Sequence, residues 1–351
     1  MAMMTFAGAI NAALSVAMTQ DPNVICYGLG ADDPKGVFGT TLGLQEKFGP
    51  ERVFDIPTSE NAMTGIGIGA ALYGLRPVMV HQRLDFALLS MDQLVNNAAK
   101  WRYMFGSQRS VPITIRLILG RGWGQGPTHS QNLQAWFAHI PGLKVVTPST
   151  PEDAKGLLLA SIFDPNPVVF LEHRWLHNAV GDVPDGDFRT PIGPARIARS
   201  GQDITIVSMS YLTIEALHAA HYLESRGIDC EVLDLRSVSP IDWPGIFASV
   251  EKTGKLLVVD PGATTGSVAG EIVARVAIER MASLTCAPAR LAMPDMPEPT
   301  SFGMTKGFYV RAGNVAAKVL EMLGRERGDV ALKLAESTPH DVPGAWFTGP
   351  F

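Results

Sequence analysis

The chain has 351 residues, enough for one large domain or two ordinary ones. Hydrophobic residues make up 46% and charged residues 18%, so a sizeable core can be buried and wholesale disorder is excluded. With 29 Lys and Arg against 34 Asp and Glu, the net charge of -5 offers no polyanion-binding surface, which argues against nucleic acid as a partner.

The amino-terminal run MAMMTFAGAINAALSVAMTQD has no basic residue at its head, unlike a secretory signal. Phe6, Ile10, Ala13, Leu14, Ala17 and Met18 recur at helical spacing, and Asp21 and Pro22 close that helix. NVICYGLG then reads as a strand, Thr58 to Tyr73 as a helix and RPVMVH as a strand. The run from Ser90 to Phe105 reads as one helix with Met91, Leu94, Val95, Ala98 and Trp101 on a face. VPITIRLIL is a strand, PEDAKGLLLASIF a helix with acids in its first turn, and PVVFLEH a strand. A polar, Gly- and Pro-rich segment, residues 181–202, reads as a linker. The alternation then restarts with ITIVSMS and runs to a last helix at NVAAKVLEMLGRE. Short apolar strands between helices imply parallel sheets covered on both faces. The expectation is an α/β chain of two doubly wound domains, residues 1–190 and 195–330, with an extended tail over 331–351.

Three cysteines, Cys26, Cys230 and Cys286, are odd in number and far apart, which suits a reducing cytoplasm rather than a disulfide framework. The longest uncharged apolar stretch, Asn61 to Leu75, is short of the ~20 residues of a membrane span. His173 and His177 lack a supporting acid pair at metal-ligand spacing.

Three segments offer chemistry. GLGADD follows the first long strand, but a dinucleotide loop needs a third glycine where Asp33 stands, and an anion there repels phosphate. PTSENAMTGIGIGAALYG sets Glu60 at the start of a helix whose glycines cost ~1 kcal/mol each against alanine, so tight backbone packing must favour them. An acid there can also simply complement the helix dipole. RGWGQGPTHSQ is a long glycine-rich loop in which His129 is the acid–base candidate.

Together these pieces resemble the beta subunit of the thiamine-diphosphate-dependent decarboxylase component of 2-oxo acid dehydrogenases, of the pyruvate, branched-chain and acetoin type, within the transketolase-like group. The motifs are PTSENAMTGIGIGAALYGLRPV, LDFALLSMDQLVNNAAKWRYMFG, GPTHSQNLQAWFAHIPGLKVVTPSTPEDAKGLL, DPNPVVFLEHRWL and EVLDLRSVSPID. The resemblance implies a pyrimidine-binding domain followed by a transketolase C-terminal domain, with the Gly/Ala helix packing on another chain. It implies that Glu60 hydrogen-bonds the aminopyrimidine N1′ of thiamine diphosphate and favours its imino form. Phe86 would pack on that ring, with Thr58, Ser59 and Gln82 beside it, and His129 would face the 2-oxo acid substrate and the incoming lipoyl group. It also implies a potassium (K+) site at Ile113, Ser161, Ile162, Asp164 and Asn166, positions that an ordinary helix-ending turn explains equally well.

The Gly-Asp-Gly motif that holds magnesium (Mg2+) and the diphosphate in such enzymes is absent; PDGDF has the wrong order. Those ligands are therefore expected on an alpha subunit, in an alpha2–beta2 assembly with shared active sites. Arg83 stands where the family usually has an apolar residue, and Leu89 also departs from it. Arg121 and Trp123 interrupt the glycine loop, and MPDMPEPTSFGMTKGFYV lacks the usual pattern before the last helix. These departures bear on the acyl substrate and on docking to a lipoyl acyltransferase core. The rival reading is a split transketolase-like or acyloin-forming enzyme that passes its unit to an aldehyde or sugar; a non-catalytic partner that only scaffolds an alpha chain is the other.

Overall fold

The computed structural model describes residues 1–33, 35–120 and 125–330, together with 334, 340 and 342. The expectations for Arg121, Trp123 and most of the tail lie outside the described residues. The first unit holds strands β1 (Ala2–Thr5), β2 (Val24–Gly28), β3 (Val53–Asp55), β4 (Arg76–His81), β5 (Thr114–Leu119), β6 (Lys144–Val146), β7 (Val168–His173) and β8 (Val180–Val183). The second holds β9 (Arg196–Arg199), β10 (Ile204–Ser208), β11 (Cys230–Asp234), β12 (Ser237–Ser239), β13 (Leu256–Ala263) and β14 (Ala289–Met293).

Two sheets carry the fold, ordered β12-β6-β7-β5-β4-β2-β3 and β14-β13-β10-β11-β9. β2 to β7 run parallel throughout the first. Every residue of β5 and β7 is buried, which is why apolar residues fall on both faces of those strands rather than alternating with polar ones. β12 comes from the second unit and joins β6 antiparallel, so the two α/β units interlock through a shared sheet.

The helix Phe6–Gln20 buries all six apolar residues that its spacing selects and packs on the helix Pro151–Phe163. The latter begins where its sequence says: the Thr150 hydroxyl accepts from the Asp153 amide, and Pro151 sits at the first helical position, where no amide is needed. Two segments differ from expectation. The single helix from Ser90 to Phe105 is a π-helical stretch Gln93–Ala98 running into a regular helix Ala99–Met104, a change of ladder that apolar spacing does not distinguish. The segment 181–202 is only partly a linker. It holds most of β8, which pairs antiparallel with β1, and all of β9, the edge of the second sheet; their polar residues hide the strand signal.

The glycines of the helix Glu60–Leu72 have separable reasons. A Cβ on Gly67 would lie 2.0 Å from the Tyr27 hydroxyl, so that glycine serves internal packing, whereas Gly69 faces open space. Among the described residues, no helix is long and apolar enough to cross a membrane.

A Cβ on Gly28 would lie 2.2 Å from the Val80 carbonyl oxygen, a backbone atom of the neighbouring strand β4. Gly28→Ala is therefore expected to push β2 and β4 apart, costing ~1–3 kcal/mol. Each kcal/mol lowers the melting temperature of a chain of this size class by roughly 2–4 °C. Calorimetry finding a midpoint within a degree of the native chain would refute this packing argument.

Candidate active site

Parallel strands deliver all their carboxyl-end loops to one edge of the sheet. The chain leaves β2 for β3 on one side and returns to β4 on the other, so the switch point lies between β2 and β4, where such sheets bind ligands. The loop after β2 wraps a carboxylate: Asp55 accepts from the amides of Gly30 at 2.9 Å and Ala31 at 2.6 Å. Those donors are thus spent inside the fold, which agrees with rejecting a dinucleotide loop here. Gly30, at φ +76°, lies against the Gln82 amide, and a Cβ there would come within 2.5 Å of Nε2. Only glycine fits that turn and that approach.

A cleft of about 1040 Å³ opens over this edge, and Gln82, Phe86, Gln125 and His129 all line it. The Phe86 and His129 rings lie 5.6 Å apart, centroid to centroid. His129 Nδ1 lies 3.0 and 3.1 Å from the two carboxylate oxygens of Asp85, which is itself nearly buried. An ionised carboxylate can only accept, so Nδ1 carries the hydrogen and Nε2 is the ring atom left to exchange a proton. Asp85 was not among the sequence candidates. It lies in LDFALLSMDQ one residue before Phe86, but only folding turns it toward a loop 44 residues away.

The second unit positions the loop behind His129. Gln134 donates to Asp260 at 2.6 Å and Asn132 to Glu298 at 3.2 Å. Asp260 is wholly buried, and burial raises its carboxyl above the usual range even though the Gly262 and Ala269 amides and Gln134 donate to it.

Glu60 opens its helix after β3, the strand paired with β2, and is not part of the cleft wall itself. It is 3% exposed, and its carboxyl makes no hydrogen bond among the described residues; Oε1 is buried without a partner. Neither Glu60 nor Ser59 caps the helix by a side-chain hydrogen bond. A desolvated carboxyl left unpaired costs ~1–3 kcal/mol or more, so this position is built for a donor that the chain does not supply. Thr58 and Ser59 are exposed next to it. A buried, unpaired carboxyl fits a ligand that offers it one hydrogen-bond donor, as a nitrogen heterocycle can.

The five residues of the cation turn also gather near one another. Their oxygens already have donors: Arg76 reaches the Ile162 carbonyl at 3.1 Å, Lys144 pairs with Asp164, Arg102 reaches Asn166 at 3.1 Å, and the Val168 amide reaches the Ile113 carbonyl at 3.0 Å. The Ser161 hydroxyl donates to the Leu157 carbonyl at 2.7 Å. No group of three or more acid, histidine or cysteine side chains suited to a metal occurs among the described residues.

Two histidines behind the site stay neutral. Burial pushes His81 down to about 4 and His173 down to about 3, the latter helped by the nearby His177. Between those values and 6.5 the unfolded chain binds protons that the folded chain refuses. Stability is therefore full above about pH 6.5 and is lost as the pH falls below it, by about 1.4 kcal/mol per unit for each ring. The melting temperature is expected to drop steadily from pH 7 to pH 5, and ring-proton NMR should show neither residue titrating there. A ring that titrates near pH 6.5 would overturn the assignment.

Residues 2–178 match the pyrimidine-binding domain of transketolase, and residues 193–322 match the transketolase C-terminal domain. The chain is 42% identical over 319 residues to the beta subunit of acetoin:2,6-dichlorophenolindophenol oxidoreductase of Cupriavidus necator, covering 88% of this chain and 94% of that one. It is 41% identical over 324 residues to the 2-oxoisovalerate dehydrogenase beta subunit of Bacillus subtilis, covering 92% and 99%. It is 43% identical over 300 residues to the mitochondrial pyruvate dehydrogenase E1 beta subunit of Pisum sativum, covering 84% of each. Among solved structures, a split gene transketolase in an inactive beta4 tetramer superposes with a TM-score of 0.73 at 21% identity, covering 92% of this chain and 98% of that one. With both domains matched in order and identity above 40% along nearly the whole length of such relatives, the chain belongs to the transketolase-like family of thiamine-diphosphate enzymes, among the beta subunits of 2-oxo acid dehydrogenases.

Proposed function

We propose that this chain is the beta half of an enzyme that decarboxylates a 2-oxo acid and passes the acyl unit to a lipoyl group, with its active site completed by an alpha subunit. The observation that carries the reading is Glu60, a buried carboxyl with no partner at the start of its helix. In this reading Glu60 would hold the N1′ atom of thiamine diphosphate. Thr58, Ser59, Gln82 and Phe86 would flank the ring, and magnesium and the diphosphate would rest on a Gly-Asp-Gly motif of the alpha chain. When bound, the cofactor supplies the electron sink for breaking the bond to the carboxylate. Glu60 keeps a proton available at N1′, and its burial strengthens that hydrogen bond. Phe86 provides an apolar face that excludes water. Asp85 holds the His129 ring through Nδ1, which leaves Nε2 to give the proton that the thiolate leaving an opened lipoyl disulfide would need. A potassium ion at the Ile113–Asn166 turn has no part in this reading, since Arg76 and Lys144 already place positive charge on its oxygens.

Glu60→Gln in the co-purified alpha–beta complex is expected to lower turnover by ~10²–10⁴ without loss of fold, because an amide cannot exchange the proton at N1′. Turnover close to that of the native complex would remove Glu60 from the chemistry. The pure beta chain is expected to bind thiamine diphosphate weakly and without magnesium dependence. Micromolar, magnesium-dependent affinity by calorimetry would contradict a shared site. His129→Ala is expected to retain much of its activity with a dye acceptor and to lose most of it with a lipoyl domain. Equal loss of both would place His129 in substrate binding or the first step instead.

A further inference from the structure

The segment MPDMPEPTSFGMTKGFYV, which departs from the family pattern, lies against the loop that carries His129. It meets that loop on both sides of the histidine. A Cβ on Gly126 would lie 3.1 Å from the Thr300 hydroxyl, and Asn132 donates to Glu298 at 3.2 Å. Glu298 stands between Pro297 and Pro299. Pro297 has a fixed φ and Pro299 disfavours helical backbone at Glu298, so the carboxylate is presented from a stiff stretch. Asp295 ties the stretch to the end of β13, accepting from the Thr265 amide at 2.8 Å and its hydroxyl at 2.6 Å. The Tyr309 hydroxyl donates to the second Glu298 oxygen at 2.9 Å. Asn132 spends its amide nitrogen twice: on Glu298, and at 3.2 Å on the carbonyl of Ser130, the residue after His129. The Ser130 hydroxyl donates in turn to the Gly126 carbonyl at 2.7 Å and closes the short helix Gly126–His129. Asp85 grips the His129 ring through Nδ1, but a single bond to a ring leaves the backbone beneath it free to shift. Asn132 supplies the second hold, and Glu298 fixes Asn132. The other brace from the second unit, Asp260 on Gln134, acts five residues beyond His129.

We propose that Glu298 is a positioning residue for His129: acting through Asn132, it sets where Nε2 stands when the acyl unit passes to its acceptor. The inference rests on the reading of His129 as the proton donor in that step. There a carbon–sulfur bond forms as the disulfide opens, and the electron pair of the broken bond leaves on the second sulfur. That thiolate takes the His129 proton, and the hydroxyl of the acyl unit returns one as its carbonyl re-forms. Decarboxylation does not use that proton, so the loop's placement matters to one half of the reaction. A shift of about 1 Å in a reacting group can cost ~10²-fold in rate. Loss of Glu298 invites such a shift: Asn132 Oδ1 is already buried without a partner, and an amide hydrogen would then lose its own. An unusual carboxylate in MPEPTS thus serves an asparagine in THSQN, more than 160 residues away in the chain.

The test uses the alpha–beta complex, with rates measured on a lipoyl domain and on a dye acceptor, and with amide hydrogen exchange followed over residues 129–132. Glu298→Ala is expected to lower the lipoyl-domain rate by roughly 10- to 100-fold while the dye rate stays close to native. Exchange over residues 129–132 is expected to speed up. Glu298→Gln keeps an acceptor oxygen for Asn132 and is expected to retain most of the lipoyl-domain rate. In a His129→Ala background, Glu298→Ala is expected to cost nothing further, because residues acting through one ring are not additive. If Glu298→Ala fails to fold, Asn132→Ala removes the same bond from the loop side and takes its place in every comparison. Unchanged exchange or an unchanged lipoyl-domain rate overturns the proposal. So does Glu298→Gln as slow as Glu298→Ala, a further loss in the His129→Ala background, or equal loss of both rates where His129→Ala spares the dye rate. If His129→Ala itself loses both rates equally and Glu298→Ala follows it without adding to it, the positioning stands and the step assigned to His129 falls. If the complex turns over no 2-oxo acid, the decarboxylase reading falls and the exchange measurement alone decides the positioning.

Discussion

Arg116 and Glu172 meet at 2.7 Å in the middle of the first sheet, and neither side chain is exposed. They lie on neighbouring strands β5 and β7 two residues out of register, Arg116 opposite Phe170 and Glu172 opposite Ile118, so they meet diagonally across one face of the sheet. Burial raises the Glu172 carboxyl, but Arg116 and His177 outweigh that and hold it below the usual carboxylate range. Removing either partner of such a pair would strand a charge in the core at a cost of about 3–5 kcal/mol. The pair also ties together the two strands whose ends matter. β5 leads to the loop carrying His129, and β7 leads to Arg174 and to His177, whose Nε2 lies 3.6 Å from the second Glu172 oxygen.

From that fixed centre the site follows by geometry. Parallel strands must end on the same edge, so residues separated by more than a hundred positions become neighbours around one cleft. Its near wall is held by short internal contacts: Asp55 on the Gly30 loop, Gln82 against Gly30, Asp85 on His129. The second unit braces the same loops through Gln134 and Asn132, and lends β12 to the sheet itself. Rigidity is thus spent on the side chains that orient others. Glu60 is left with an unsatisfied carboxyl, the feature that a chain needing a ligand and a partner would keep.

Much of this was legible in the sequence. The alternation of short apolar strands and helices specified two α/β units, and Thr150, Pro151 and the acids behind them marked a helix start that the structure reproduces. Glu60 and His129 were candidates within glycine-rich segments, but a helix cap and a solvated loop histidine explained them as well until the resemblance of the surrounding motifs gave them roles. Other parts could not be read this way. β8 and β9 are short and polar because each has one partner strand and a wet face, so their pattern resembles a linker. The π-helical ladder at Gln93–Ala98 keeps the apolar spacing of a regular helix, so spacing alone hides it.

Local patterning therefore determined which segments are strands and helices, and the motifs determined the family, because both depend on residues close together in the chain. The crossing of β12 into the other unit's sheet, the pairing of Asp85 with His129, and the convergence of Arg83 and Arg174 on Phe38 were decided only by the tertiary structure. Each is a contact between side chains or strands far apart in sequence, and its energy comes from excluding water between them, which no single segment can express alone.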